Sequence, residues 1–359
     1  MEKVLMKGNE AISEAAIQAG CRFFFGYPIT PQNEIAAYMS RRMPQVDGLY
    51  LQAESEIAAI HMVLGASSAG ARVMTSSSSP GIALKSEGLS YMAGCDLPAV
   101  VVNVQRGGPG LGGIQPSQAD YFLATRSAGH GDFHLLTLAP CTVQEMVDLT
   151  RLAFDLADRY RMVCMILADG VLGQMMEAVV LDARQEGTQA AAPSADKSWA
   201  VGGTGGKRKP NVVNSLYLQP EELEGMNIQR YERYALIERE QARHEAFLLE
   251  DAEIVVASYG ATARVAKNAI LEARSRGIKA GLLRPITLWP FPKAAFAHAA
   301  ETARAFVTVE MSMGQMIDDV KLATNCRRPV FFSGRTGGMV PTPENILDAI
   351  QKASGGIDE

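Results

Sequence analysis

The sequence predicts a doubly wound, mainly parallel α/β sheet followed by a second, smaller α/β unit, and three observations carry that reading. Short apolar runs alternate with helix-periodic stretches from residue 8 to about 180, the pattern of parallel strands joined by crossover helices. The run Ala99-Val100-Val101-Val102-Asn103-Val104 is apolar without alternation, as in a strand covered on both faces. After a stretch of different texture the alternation resumes at Asp251, and 359 residues exceed what one core usually sustains.

Six strands are expected in the first unit, near 22–25, 48–53, 71–76, 98–104, 134–138 and 161–168. Helices fill the gaps near 9–20, 31–43, 56–69, 81–94, 117–128 and 142–159. Pro31 suits the first position of its helix, with Thr30 before it as a capping residue. From 184 to 248 the composition shifts to Ala-Ala-Ala-Pro-Ser-Ala and Val-Gly-Gly-Thr-Gly-Gly-Lys-Arg-Lys-Pro, which reads as a connector. Its tyrosines and arginines between Gln229 and Tyr234 suggest packing against a partner, and Glu232 to Leu249 reads as a helix. The second unit is expected to alternate strands at 253–258, 278–283, 305–310 and 329–333 with helices at 262–276, 291–303, 313–324 and 343–353. The divisions are therefore 1–183, 184–248 and 249–359.

A formal charge of -5 with 20% charged residues lacks the basic surplus that nucleic acid or an anionic membrane would require. Cys21, Cys95, Cys141, Cys164 and Cys326 form no C-x-x-C pair, which argues against a zinc site or iron–sulfur cluster held by this chain and for buried, reduced thiols. The first residues lack the apolar core of a signal peptide, and no run approaches the roughly 18 apolar residues of a membrane span. The expected location is the cytoplasm.

Candidate site residues gather at the carboxyl ends of the expected strands, where doubly wound folds bind ligands. Tyr27, Pro28 and Thr30 follow the first strand. Glu56 opens the helix after the second, nine residues before Gly65. There it either meets a ligand or only complements the helix dipole. Ser77 and Ser78 lie in the run Thr75 to Gly81 after the third strand, offering hydroxyls to a ligand or to the next helix. Arg106 ends the fourth, where a guanidinium can grip a carboxylate with two parallel hydrogen bonds. The following Gly107 to Gly113 contains G-x-G-x-x-G, but Pro109 and Pro116 keep it from opening a helix, against a dinucleotide fingerprint. His130, Asp132 and His134 make a weak metal set, and His61 reads as a packed core histidine.

Tyr27-Pro28-Ile29-Thr30-Pro31, Glu54-Ser55-Glu56-Ile57-Ala58-Ala59, Arg106-Gly107-Gly108-Pro109-Gly110 and Gln118-Ala119-Asp120 together resemble the alpha subunit of 2-oxoacid:ferredoxin oxidoreductases. Leu283-Arg284-Pro285-Ile286-Thr287-Leu288-Trp289-Pro290 resembles that family's transketolase-C-terminal-like domain, so the resemblance spans nearly the whole chain. It implies a first domain of the thiamine diphosphate pyrimidine type. Glu56 would bond N1′ of the aminopyrimidine and favour the imino tautomer that removes the C2 proton, a task suited to a buried acid sharing a proton. Tyr27, Pro28, Ser77 and Ser78 would line the cofactor, and Thr30 and Arg106 would contact the 2-oxoacid.

The family's Gly-Asp-Gly motif with a later asparagine, which supplies hard oxygen ligands to magnesium and diphosphate, is matched only in part by Ala168-Asp169-Gly170 and Gly131-Asp132-Phe133. The resemblance therefore implies a beta subunit carrying that motif and magnesium. It also implies gamma and ferredoxin-like delta subunits with [4Fe-4S] clusters, coenzyme A as co-substrate, and ferredoxin as electron acceptor. The stretches Gly110 to Gln118 and Gly337 to Pro343 look nearest to branched-chain members acting on 2-oxoisovalerate, with 2-oxoglutarate enzymes close behind. Two other readings stay open: a beta-type subunit of a lipoamide-linked 2-oxoacid dehydrogenase, and a catalytically silent assembly scaffold.

Overall fold

The computed structural model describes residues 3–126, 128–181 and 196–355. Strand β1 (Lys3–Lys7) leads into α1 (Gly8–Gln18), followed by β2 (Phe23–Gly26), α2 (Asn33–Arg42), β3 (Leu49–Gln52), α3 (Glu56–Ser68) and β4 (Val73–Ser77). Next come α4 (Ser79–Leu84), α5 (Ser86–Gly94), β5 (Ala99–Gln105), α6 (Tyr121–Thr125), β6 (Leu136–Leu138), α7 (Val143–Tyr160), β7 (Val163–Asp169), α8 (Gly170–Gln174) and β8 (Met176–Val180). Beyond the connector lie α9 (Pro220–Gln241), β9 (His244–Phe247), β10 (Ile254–Ser258), α10 (Gly260–Ser275), β11 (Ala280–Pro285) and β12 (Thr287–Trp289). The chain closes with α11 (Lys293–Thr302), β13 (Ala305–Glu310), α12 (Met316–Ala323), β14 (Val330–Gly334) and α13 (Pro343–Gly355).

The first unit is built on a seven-stranded sheet in the order β12-β6-β7-β5-β4-β2-β3. Its strands are parallel except β12, which runs antiparallel to β6. Both faces of β5 are covered: Val101 joins Ile60, Ile82 and Leu89 on one side, and Val100, Val102 and Val104 join Ile12, Ile35 and Met39 on the other. That two-sided burial explains an apolar run without alternation. From β2 the chain moves to β3 on one side, while β4 and β5 build outward on the other. The strand order reverses between β2 and β4, the place where such sheets open a ligand crevice at their carboxyl ends. A second sheet, β14-β13-β10-β11-β9, carries the smaller unit, with only β9 antiparallel.

Several expectations need correction. The helix expected at 31–43 begins at Asn33. The helix expected at 81–94 is two helices broken at Lys85, whose backbone ends α4 and starts α5. Among the described residues of 117–128, only Tyr121–Thr125 is helical. Strands β1 and β8 form an unexpected antiparallel pair, and β12, from the second half of the chain, completes the first sheet. The helix read from Glu232 to Leu249 instead spans Pro220 to Gln241, after which His244–Phe247 pairs with β11 as an edge strand. Residues 184–195 of the connector lie outside the described residues.

Arginines and tyrosines of α9 make contacts within the chain, while Tyr231 stays 46% exposed. Arg230 and Arg233 both pair with Asp96, and Tyr234 sits edge-on to Trp289 at 5.1 Å and to His134 at 5.4 Å. His134 stacks on Trp289 at 4.6 Å, so that ring belongs to an aromatic cluster. His61 is exposed, not packed in the core. Cys21, Cys141 and Cys164 are buried as expected, but Cys95 is half-buried and Cys326 exposed. Among the described residues no helix is long and apolar enough to cross a membrane.

Candidate active site

At the β3–α3 corner, the Ser55 hydroxyl accepts from the backbone N–H of Ala58 at 3.1 Å, so this serine caps α3. Glu56 is released from that task. It is 7% exposed, and among the described residues its carboxylate accepts no hydrogen bond. Its oxygens are not among the side-chain atoms sealed from solvent without a partner, so the carboxylate is open to water or to a ligand. Glu54, two residues earlier, is exposed.

Helix α4 presses a glycine onto this acid. A Cβ at Gly81 would lie 2.1 Å from Ser77 Oγ and 2.7 Å from Glu56 Oε1. Ser77 at the end of β4 and Glu56 at the start of α3 thus share one small space. The hydroxyls of Ser77 and Ser78 are buried without partners, and that of Ser77 shares the space at Gly81 with the unbonded carboxylate. Gly81→Ala would drive a methyl into Ser77 and Glu56. It is expected to weaken thiamine diphosphate binding at least tenfold while the complex still assembles, as measured by cofactor titration of the purified complex; unchanged affinity would show that this space does not receive the cofactor.

The second expected pair is also brought together. Arg106 is 7% exposed and donates from Nη1 to the Thr30 carbonyl at 3.0 Å and from Nη2 to the Leu111 carbonyl at 2.9 Å. Its Nε is buried without a partner. The guanidinium thus ties the Thr30 loop to the glycine-rich loop while keeping donor capacity in reserve. Thr30 caps nothing: its hydroxyl accepts from Asn33 Nδ2 at 3.2 Å, and the cap position of α2 belongs to Gln32 without a side-chain cap bond. Gln32 instead accepts from the Ser76 hydroxyl at 2.5 Å. Tyr27 and Pro28 are exposed at the rim.

Four participants were not among the candidates. Ser79 Oγ donates to Asp120 Oδ2 at 2.6 Å and accepts from the Arg106 backbone N–H at 3.0 Å, tying Arg106 to the start of α4. Burial pushes the Asp120 carboxyl up, opposed by its bonds to Ser79 and Asn103. The Asn103 Oδ1 beside it is buried and unpartnered. Lys85, fully buried, donates to Thr75 Oγ1 at 3.1 Å. Burial pushes its ammonium down to about 8 against the opposing effect of the Glu56 charge. Asp120 ends the segment Gln118-Ala119-Asp120 and Asn103 lies in the apolar run of β5, but only the fold shows that they meet, at 2.9 Å.

Asp169, the centre of one partial Gly-Asp-Gly match, is already committed. Its Oδ1 accepts from the Val171 and Leu172 N–H groups at 2.9 and 3.1 Å, and its Oδ2 accepts from Ala261 N at 3.3 Å. Burial raises this carboxyl to about 6. It joins the starts of α8 and α10, and thereby the two units. Among the described residues no cluster of three or more His, Cys, Asp or Glu side chains could hold a metal.

Comparison with known proteins places the chain in a family. A family model described as "Pyruvate flavodoxin/ferredoxin oxidoreductase, thiamine diP-bdg" matches residues 14–252, and "Pyruvate:ferredoxin oxidoreductase core domain II" matches 252–346. The chain is 49% identical to the ketoisovalerate oxidoreductase subunit VorB of Methanothermobacter marburgensis, covering 99% of both chains. It is 35% identical to the 2-oxoglutarate synthase subunit KorA of Methanothermobacter thermautotrophicus, over 98% of this chain and 99% of that one. A solved 2-oxoglutarate:ferredoxin oxidoreductase from Magnetococcus marinus, with 2-oxoglutarate, coenzyme A and succinyl-CoA bound, superposes with a TM-score of 0.83 at 27% identity. That match covers 98% of this chain and 65% of the other. A split gene transketolase matches at a TM-score of 0.62 and 14% identity, which speaks for the fold alone. With the first model covering well over half of its length, the chain belongs to the pyruvate flavodoxin/ferredoxin oxidoreductase family.

Proposed function

We propose that this chain is the alpha-type, pyrimidine-binding subunit of a thiamine diphosphate-dependent 2-oxoacid:ferredoxin oxidoreductase that converts a branched-chain 2-oxoacid such as 2-oxoisovalerate to an acyl-CoA and CO2. The observation that carries this is the unbonded carboxylate of the largely buried Glu56, which shares the space at Gly81 with Ser77 at the strand-order reversal. Residues 1–183 form the pyrimidine-binding domain in this reading, 184–248 the connector, and 249–359 the transketolase-C-terminal-like domain. The 49% identity to a ketoisovalerate enzyme subunit, against 35% to a 2-oxoglutarate one, favours the branched-chain substrate.

The unpartnered acid and hydroxyls fit the polar edge of an aminopyrimidine. When bound, thiamine diphosphate supplies the acidic carbon that attacks the 2-oxoacid and stores the electrons released on decarboxylation. Glu56 holds a proton at ring atom N1′, and burial lets that proton be shared rather than lost to water. Ser77 and Ser78 place hydroxyls where the ring can accept or donate. Arg106 directs its spare N–H groups at the substrate carboxylate, and Thr30 lines the same pocket. Tyr27 and Pro28, exposed just beyond β2, would line the cofactor's outer side.

Partner subunits complete the enzyme: a beta subunit with magnesium and the diphosphate motif, cluster-bearing gamma and delta subunits, and ferredoxin as acceptor. The outer side of α3 supports a covering partner. Ile57 and His61 are exposed, Gly65 faces open space, and the neighbouring edge strand β3 exposes Leu49 and Leu51. A helix apolar on both faces is ordinarily buried on both.

Co-purification with the partner chains, followed by viologen reduction with a panel of 2-oxoacids and coenzyme A, tests the assignment. The expected result is a brown complex reducing viologen fastest with 2-oxoisovalerate; a colourless complex that needs lipoyl protein would overturn it. Arg106→Ala is expected to raise the KM for the 2-oxoacid about 10- to 100-fold, the worth of a lost charged hydrogen bond. Cofactor affinity should hold; an unchanged KM would remove Arg106 from the substrate site.

A further inference from the structure

A cavity lies at the amino ends of β5 and β7, the opposite end of the sheet from the crevice. Asp96 precedes β5 and Arg161 precedes β7. The seven residues of β5, about 20 Å of strand, separate Asp96 from Arg106. Connector residues between Trp199 and Tyr217, with Met226 of α9, fold over these strand ends and bound a space of about 470 Å³. Trp199, Val213, Tyr217 and Met226 supply apolar and aromatic walls, while Arg161 and Asp96 supply the charges. Apolar walls with a few convergent polar groups are the ordinary make-up of a small-molecule site.

Arg161 has no polar partner there. Among the described residues its guanidinium makes no hydrogen bond or ion pair, and its Nε is sealed from solvent. It lies over the ring of Trp199, 4.6 Å from the centre. The neighbouring acids are committed elsewhere. Asp96 accepts from Arg233 Nη2 at 2.5 Å and pairs with Arg230 Nε at 3.5 Å. Asp158 takes Arg72 and Lys197, and Asp196 accepts from the backbone N–H and hydroxyl of Ser198. Burial lowers the pKa of the Arg161 guanidinium despite the charges of Asp96 and Asp196. The residue also ends α7 in the left-handed conformation, φ 49° and ψ 60°, which asparagine or glycine adopts at lower cost. Terminating the helix therefore does not explain the arginine.

We propose that this cavity binds a small organic anion, a carboxylate or phosphate on an aromatic body, with Arg161 gripping the head group and Trp199, Tyr217 and Met226 holding the body. A desolvated guanidinium with free N–H donors is matched by the two-oxygen edge of such an anion. Asp96 does not repel it strongly, because Arg230 and Arg233 offset that single carboxylate. The bound anion joins α9 and the connector to the first unit, and it reaches neither the cofactor nor the 2-oxoacid.

The test uses the assembled, cofactor-loaded complex and two probes that share one body, benzoate and phenyl phosphate. Calorimetric titration is expected to give a dissociation constant on the order of 1 mM or tighter for at least one of them. The tighter probe identifies the head group. Arg161→Asn removes the guanidinium and suits the left-handed backbone, so it should weaken binding about tenfold or more without lowering the thermal midpoint of the probe-free complex. Arg106→Ala, at the other end of the sheet, should bind the probe as wild type does. Failure of both probes to bind, equal binding in Arg161→Asn, or loss of binding in Arg106→Ala overturns the proposal. Should Arg161→Asn fail to assemble, Met226→Trp fills the cavity from α9 and carries the same test: binding falls about tenfold or more, and unchanged binding again overturns the site.

Discussion

Glu56→Gln is expected to lower the turnover of the assembled enzyme by about 10²- to 10⁴-fold, the range spanned by removal of a positioned general acid–base group. Glutamine preserves volume, so the tight approach of Gly81 and Ser77 is kept. Ser55 still caps α3, and the apolar contacts of Ile60 and Val63 are untouched. What disappears is a group able to take and return a proton. The rival account, in which Glu56 only complements the dipole of α3, makes a different quantitative claim. A first-turn acid contributes about 0.3–1 kcal/mol to helix stability, so its loss would lower stability slightly and leave turnover intact. Single-turnover viologen reduction, with size-exclusion chromatography to establish assembly and a cofactor titration to establish loading, separates the two. Wild-type turnover in a loaded complex would leave the silent-scaffold reading standing.

Much of this architecture is legible in the chain because its signals are local. The strand at 98–104 declares itself by an apolar run that only two-sided burial tolerates, and β5 spans Ala99–Gln105. Glu56 stands at a strand-to-helix corner that sequence spacing can locate, and the helix begins at that residue. Thr30 and Arg106 are legible as loop residues at strand ends, though their hydrogen bond crosses from β2 to β5 and has no sequence signature. The illegible parts are tertiary. Lys85 falls inside the single helix expected at 81–94, and only the break between α4 and α5 and the close packing of Gly81 and Gly88 on α3 bury it. Strand β12 is three residues long, too short for a period, and its partner β6 lies about 150 residues earlier in the chain. Thr30 lost its expected capping role because α2 starts at Asn33 and not at Pro31, a boundary shift of two residues, the size by which helix ends commonly vary.

The second large effect is expected at Arg284, which joins the two units far from the crevice. Its side chain is 1% exposed. Its terminal nitrogens bind both oxygens of Glu145 on α7 at 2.6 and 3.0 Å, while Nε binds Glu245 on β9 at 2.6 Å. Glu145 in turn accepts from the Cys141 backbone N–H at 2.8 Å, and Glu245 pairs with Lys267. One guanidinium therefore fixes the start of α7 in the first unit against the edge strand of the second. Arg284→Ala leaves two carboxylates facing a cavity, and breaking a buried pair in this way costs about 3–5 kcal/mol. The lower end applies because Glu145 and Glu245 are 27% and 30% exposed and regain some hydration. A fall in the thermal midpoint on the order of 10 °C follows. Arg284→Lys should recover part of it, because an ammonium cannot reproduce the two-pronged bond to Glu145. The dependence on pH gives a second signature. Burial would raise the Glu245 carboxyl, but the bond from Lys267 and the charge of Arg284 hold it below 4.5. Its contribution to stability is then complete above the unfolded value and is lost as pH falls through the folded one. In Arg284→Ala that acid-side loss should shrink, leaving a flatter stability curve below about pH 4.5. If denaturation of the variant instead follows the wild-type curve at every pH, the pairing of β12 with β6 and the bonds of Asp169 hold the units together without the clamp.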